Sequence, residues 1–349
     1  MKFRWTAAPS QPLLSSKLAE SLKVSPLLTQ CLLNRGISEP EAIKHFLSPR
    51  LMNLADPFLL PGMDAAVKRL FAARKLQESL VVFGDYDVDG VTSTALLVEV
   101  FRSLGWQVNF YLPHRMEEGY GLSREGVENC LKKHPTTLLL AVDCGSTAVD
   151  AIAWLKGQGT DVIVVDHHQI SDPPPVPVAL VNPQLTAKSR HVFDHNSGTE
   201  DGDSTIHSGS FTELCSVGLA FKLAHALVKH GRQQGFAGFA EFDLKPLLDL
   251  VALGTVADVV PLIGENRIFV SAGLKNISTT TRPGLVALKT IAKSPQKLGV
   301  ADISYQLAPR LNAAGRLENA SESLHLLLAD REEEALPLAQ NLEAHNRER

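Results

Sequence analysis

Between residues 80 and 182, five short and nearly continuous apolar runs alternate with segments long enough to form helices. The runs are LVVFG (80–84), QVNFYL (107–112), TLLLAVD (137–143), DVIVVD (161–166) and VALVN (178–182). TSTALLVEVFRSLG, SREGVENCLKKH and TAVDAIAWLKGQG lie between them. A strand with one wet face alternates polar and apolar residues; a strand buried on both faces does not. The pattern therefore predicts an α/β fold, a parallel β-sheet with helices on both faces. Such sheets bind ligands beyond the carboxyl ends of their strands.

Residues 1–75 read as a helical N-terminal region. Ser38, Pro40 and Glu41 are spaced as a helix start: a cap, a first-turn proline and an acid that reaches back. The α/β domain is expected over 76–265. Within it, the stretch 184–211 is polar without an apolar period and reads as a long surface loop. Helical periodicity resumes at 213–231 and 244–260. A helical extension is expected over 266–330, and a charged amphipathic helix over 331–349. No internal repeat is visible.

Hydrophobic residues make up 44% of the chain, enough for real cores and too many for a disordered one. No stretch reaches the roughly 18 uncharged apolar residues of a membrane span. The start, MKFRWTAAPS, lacks the apolar centre of a signal peptide, so a cytoplasmic protein is expected. Cys31, Cys130, Cys144 and Cys215 are scattered with no Cys-x-x-Cys pair, which suggests neither a disulfide framework nor a thiolate zinc site. The net charge of −4 gives no electrostatic footprint for nucleic acid, but two divalent cations would bring it to zero.

Four segments carry chemistry. In VVFGDYDVDGVTSTA (81–95), Asp85, Asp87 and Asp89 follow one apolar run. Three carboxylates at alternate positions repel unless something positive sits among them. A polar turn with some calcium-loop character is the plainer reading, but the remaining loop spacing is missing. In LLLAVDCGS (138–146), Asp143 ends an apolar run, a place also used by helix caps. In VIVVDHHQI (162–170), Asp166 precedes His167 and His168, which read either as solvated loop residues or as imidazole ligands. Asp166 is suited to fixing a histidine tautomer from the second layer. In LVALGTVADVVPL (250–262), Asp258 sits in an otherwise apolar helix, a charge that needs a metal or an arginine. Three of these segments end successive strands, so one sheet edge would gather them. Carboxylates with imidazole at one edge describe a site for two Mn²⁺ or Mg²⁺ ions, which activate water and stabilise phosphoryl oxygens when about 3.5–4 Å apart.

GDYDVDG, AVDCG, VVDHH and GTVADVVPL resemble the four motifs of the DHH phosphoesterase superfamily, in order. YLPHRMEEGYGLS (111–123), ELCSVGLAFKLAHAL (213–227) and APRLNAAGRL (308–317) resemble its RecJ family. The resemblance runs from about residue 20 to the last residue. It implies a single-stranded-DNA-specific 5′–3′ exonuclease that hydrolyses phosphodiester bonds by two-metal catalysis in DNA repair and recombination. Asp85, Asp87, Asp89, Asp143, His167 and Asp258 match metal positions, with Asp143 placed to bridge. Asp85, Asp143 and His168 match the catalytic set, and His168 faces the scissile phosphate. Many relatives carry a metal-binding histidine where Phe83 stands, which leaves one ion a ligand short unless Asp85, water or substrate fills the place. Arg115, Arg310 and Arg316 match substrate-phosphate contacts; a structural salt bridge is the alternative for each. Single-stranded DNA is the implied partner, with a single-strand-binding protein and a helicase associated with the family.

The family's second domain, with its glycine-rich, histidine-containing motif, has no match here. The last helix resembles the connection to it, as expected of a fragment, a truncated product or half of a split enzyme. A phosphodiesterase for short oligonucleotides or cyclic dinucleotides, and a catalytically incomplete scaffold, are the rival readings.

Overall fold

The computed structural model describes residues 6–185, 211–317 and 320–348, without the side chains of Met116, Arg316 and Leu317. Apart from 184, 185 and 211, the stretch 184–211 expected as a surface loop lies outside the described residues. The chain divides into two compact units, Met1–Leu54 and Ala55–Arg349.

The first unit holds α1 (Pro12–Leu22), α2 (Pro26–Leu33) and α3 (Pro40–Leu47). Each starts on a proline, whose fixed φ and missing N–H suit the first turn. Leu18, Leu32, Leu33 and Ile43 form its apolar centre. Ser25 caps α2 by accepting the Leu28 amide at 3.2 Å. The cap position of α3 falls on Glu39 rather than Ser38, and no side chain caps that helix.

The second unit begins before residue 76. Helix α4 (Met63–Leu76), expected with the N-terminal region, packs on the sheet's last strand and belongs to this unit. The strands are β1 (Ser79–Phe83), β2 (Gln107–Tyr111), β3 (Leu138–Val142), β4 (Asp161–Val165) and β5 (Ala179–Val181). All pair in parallel in the order β2-β1-β3-β4-β5, as the apolar runs predict. Helices α7 (Arg124–Lys133) and α8 (Val149–Gly157) cover one face, where Val127, Cys130, Ile152 and Leu155 pack on Val81, Phe83, Leu139, Ala141, Val162 and Val164. Helices α4, α5 (Val88–Ser103) and α9 (Ser216–Gln233) lie against the strands from the other face. A four-residue helix, α6 (Arg115–Glu118), follows β2.

Longer helices that follow are α10 (Leu248–Ala257), α11 (Gly264–Thr279), α12 (Pro283–Ile291), α13 (Ala308–Leu317), α14 (Ser321–Leu328) and α15 (Glu332–Glu348). Helix α10 packs on α5 so closely that a Cβ at Gly254 would lie 2.3 Å from Thr92 Oγ1, so only glycine fits this crossing. Helix α15 packs on α12, α13 and α14. No helix among the described residues is long and apolar enough to cross a membrane, and the four cysteines are free thiols.

Strand order and register place the site. The order reverses direction between β1 and β3, the point where such sheets open a crevice beyond their carboxyl ends. Phe83 pairs with Ala141, and Ala141 with Val164. Asp85, Asp143 and Asp166 each follow that line by two residues, on strands about 4.8 Å apart.

Candidate metal centre

The acidic cluster forms at the crevice. Asp85, Asp87 and Asp143 bring ligand atoms within 4.8 Å of one another, and so do Asp143, Asp166, His167 and His168. His167 Nε2 lies 3.4 Å from Asp143 Oδ1, 3.8 Å from Asp258 Oδ2 and 3.9 Å from Asp89 Oδ2. Asp143 thus stands between Asp85 and Asp87 on one side and His167, Asp89 and Asp258 on the other. All six residues expected to ligate metal meet in one place.

Local structure fixes each of them. Asp87 is the N-cap of α5 and accepts the Gly90 amide at 3.0 Å. Asp89, in the first turn of α5, accepts the Ser216 amide at 2.7 Å and the Val217 amide at 2.8 Å from the first turn of α9. Two helix N-termini, each with partial positive charge, therefore face the carboxylates. Lys222 on α9 is fully buried and donates to Glu265 at 3.0 Å and to the Ala55 carbonyl at 2.7 Å, which pins α9 in place. Asp258 lies one residue beyond α10, at its C-cap, rather than inside the helix. Asp143 (φ 61°) and Val259 (φ 62°) both adopt the left-handed conformation that favours glycine. Each costs roughly 1–2 kcal/mol, and such strain collects where a site dictates the direction of a side chain.

The electrostatics suit a bound cation. Both oxygens of Asp85, Oδ1 of Asp143, Oδ2 of Asp258 and Nε2 of His167 are buried without a hydrogen-bond partner. Burial and the neighbouring Asp87 push the Asp85 carboxyl up to about 7. Burial and surrounding carboxylates drive Asp89 and Asp143 well above the ordinary range, and Asp258 to about 6. Burial lowers His167 to about 4, so its ring is neutral and free to donate a lone pair. Carboxylate oxygens with one imidazole are the donor set of hard divalent cations, and the orphaned atoms fit them. Phe83 is buried and stacks on Tyr111 with ring centroids 5.5 Å apart. Asp85 therefore stands with Asp87 as a carboxylate on that side of the cluster.

His168 is built differently. Its Nδ1 donates to Asp166 Oδ1 at 2.8 Å, and that bond raises the ring to about 9. Burial would raise the Asp166 carboxyl, but the bonds from His168 and Ser146 outweigh it and bring it to about 2. Asp166 also accepts the His167, His168 and Ser146 amides. It is the layer behind the histidines, and it orients His168 rather than His167. Asn182 at the end of β5 completes this support by donating to Ser146 Oγ at 2.8 Å and to the His168 carbonyl at 2.9 Å.

The arginines divide. Arg115 is exposed and lies over the Tyr86 ring, 5.0 Å from its centroid. Tyr86 meets Tyr120 edge to face at 5.9 Å, and the Tyr120 hydroxyl lies 3.4 Å from His168 Nε2. Arg310 instead pairs with Glu343 at 2.6 Å and donates to the Gln306 carbonyl at 2.6 Å, which is the salt-bridge alternative. The Arg316 side chain lies outside the described residues. Sequence reading passed over Cys215, whose Sγ lies within 4.8 Å of ligand atoms of Asp89 and Asp258. Burial holds that thiol well above its ordinary range, so it is protonated beside the oxygen donors.

The fold and the centre define a DHH protein. The DHH family, N-terminal domain, matches residues 79–255, and the chain belongs to that family. Its relatives include RecJ proteins, and the chain corresponds to their N-terminal, DHH-bearing part. It is 36% identical over 352 residues to the single-stranded-DNA-specific exonuclease RecJ of Bacillus subtilis (strain 168), covering 100% of this chain and 40% of that protein. RecJ from Thermus thermophilus in complex with Mn²⁺ superposes with a TM-score of 0.75 at 30% identity, over 98% of this chain and 45% of the other. An exonuclease RecJ bound to manganese gives 0.68 at 33% identity, over 85% of this chain and 67% of the other. The chain spans about half the length of the curated relatives it matches.

Proposed function

We propose that this chain is the catalytic part of a RecJ-type exonuclease. It hydrolyses phosphodiester bonds of single-stranded DNA from the 5′ end with two Mn²⁺ or Mg²⁺ ions, in DNA repair and recombination. The observation that carries the reading is the set of orphaned buried ligand atoms gathered around Asp143, beside a histidine held cationic by Asp166. Asp85, Asp87 and Asp143 would hold one ion; Asp143, Asp89, His167 and Asp258 would hold the other. Two divalent cations supply charge neutralisation at phosphoryl oxygens and acidify a water.

The protein's own groups do the rest. His168, cationic near neutral pH, presents Nε2 toward the scissile phosphate and donates a proton to the departing 3′ oxygen. Asp166 keeps that ring oriented and charged. Arg115 takes a substrate phosphate, since its fork is free of carboxylates among the described residues. Tyr120, 60% exposed beside His168, offers a base a stacking face, which suits a nucleotide substrate. A single-strand-binding protein and a helicase are the partners this reading expects, acting in the cytoplasm.

The test is digestion of a 5′-labelled single-stranded oligonucleotide with Mn²⁺, beside its duplex and a dinucleotide. Progressive loss of the long single strand with the duplex spared is expected. Cleavage of the dinucleotide alone would replace this reading with a small-substrate phosphodiesterase. Bound metal without cleavage would make the chain a scaffold.

A further inference from the structure

Helix α13 does not line the acidic cluster, yet it touches the turn that carries half of it. Asn312 Oδ1 accepts the Val88 amide at 3.1 Å. Val88 lies between Asp87 and Asp89, and its amide is one of the first-turn donors of α5 that no backbone carbonyl within the helix can satisfy. Asp87 Oδ1 accepts the Gly90 amide rather than that of Val88, which takes its acceptor from α13. One turn further along α13, a Cβ on Gly315 would lie 2.5 Å from the Tyr86 carbonyl. Positions 312 and 315 share a helix face. That face therefore sits directly on the Tyr86–Val88 backbone, with a glycine where contact is closest and an amide where a donor is unmet.

The helix is itself held from behind. A wide, π-type turn at Ile303–Leu307 leads into it, a feature that often re-aims a helix at a functional position. The ion pair of Arg310 with Glu343 then ties it to α15, both side chains only 14% exposed.

We infer that Asn312 is a positioning residue for the metal centre, resting on the metal-dependent reading above. It sets the Asp87–Asp89 turn at the spacing two cations require, while α9 holds the Asp89 carboxylate from the opposite side. Its contribution lies in metal affinity, not in contact with metal or DNA. Groups that hydrogen-bond metal ligands from behind are worth roughly 10- to 100-fold in metal affinity or activity, and Asn312 acts one step further back, on the amide between Asp87 and Asp89.

The test compares Mn²⁺ binding by calorimetry in wild type, Asn312→Leu, Asn312→Ala and Asn312→Asp, each well below its melting temperature. The leucine keeps the bulk without the acceptor, and roughly 10-fold weaker binding is expected, the lower end of the range for partners of metal ligands. The alanine leaves room for a water at the Val88 amide, is easier to fold, and should fall between leucine and wild type. The aspartate keeps an acceptor at the same atom and should restore affinity at least to the wild-type level. Unchanged Mn²⁺ affinity in the folded leucine and alanine variants, whatever their melting temperatures, would overturn the assignment. Wild type that binds Mn²⁺ but leaves single-stranded DNA intact would refute the nuclease reading and leave this one standing.

Discussion

Replacing Asp143 by asparagine should make the metal-free protein more stable and the metal-loaded protein less so. Asp143 is 1% exposed, Oδ1 has no hydrogen-bond partner, and ligand atoms of Asp85 and Asp87 lie within 4.8 Å. Two unit charges at that distance repel by about 3.5 kcal/mol at an effective dielectric of 20. Partial protonation, already evident in Asp85 at about 7, relieves some of this. A net gain of about 2 kcal/mol for metal-free Asp143→Asn is therefore expected above that pH. For a domain of this size that is a rise of roughly 4 °C, on the scale of about 2 °C or more per kcal/mol. Asparagine keeps the shape and tolerates positive φ, so the backbone at φ 61° is retained. Wild type should gain about 2.7 kcal/mol at a hundredfold excess of Mn²⁺ over its dissociation constant. The variant, without the carboxylate proposed to serve both ions, should gain little of it. Thermal melts with chelator and with Mn²⁺, for both proteins, supply all four numbers. A variant that melts below wild type in chelator would refute the crowding argument. A variant that keeps the full Mn²⁺ shift would refute the bridging position of Asp143.

Metal affinity should fall as pH drops through about 7 and then about 6, where Asp85 and Asp258 take up protons that compete with the cation; Mn²⁺ titrations at several pH values check the direction. Asp166→Asn should move the alkaline limb of the pH–rate profile down from about 9 toward the ordinary histidine value, because His168 loses the carboxylate that holds its proton. A limb that stays in place would assign the acid to another group. Arg115→Ala should raise the dissociation constant for single-stranded DNA and leave Mn²⁺ affinity unchanged, as binding titrations would read; loss of metal instead would place Arg115 inside the centre. Val259→Gly should stabilise the protein by about 1 kcal/mol, seen in denaturant melts, by releasing a β-branched residue from the left-handed region at an 85% exposed position.

Strands β1, β3 and β4 were legible because burial on both faces writes itself into nearly every residue, whereas β2, at the sheet's edge, is exposed or half-buried along its length. Register then did what no single motif does: Phe83, Ala141 and Val164 align, so aspartates two residues beyond must meet. The helix edges were less legible. Ser38 gave way to Glu39 at a cap, and Asp258 fell just outside its helix. Both shifts of one residue depend on where the last backbone bond closes, which pattern alone does not set. The first unit's end at 54 rather than 75 was hidden for another reason. Nothing in the sequence of α4 says which neighbour its apolar face will choose.

The groups that sequence reading missed share one property: they act through a partner far away in the chain. Asn312 means nothing until Val88, 224 positions away, is beside it. Asn182 is a strand-end residue until Ser146 and the His168 carbonyl lie within reach. Arg310 matches a phosphate contact by family resemblance, and only the fold brings Glu343, 33 positions further on, against it. Carboxylates that hold metal announce themselves by their mutual repulsion, since adjacent acids are costly without a reason. Residues that hold those carboxylates are neutral, common and locally unremarked. A centre of this kind therefore displays its charged members in the sequence, Asp166 behind His168 included, and conceals neutral supports such as Asn182 and Asn312, whose partners only the fold supplies.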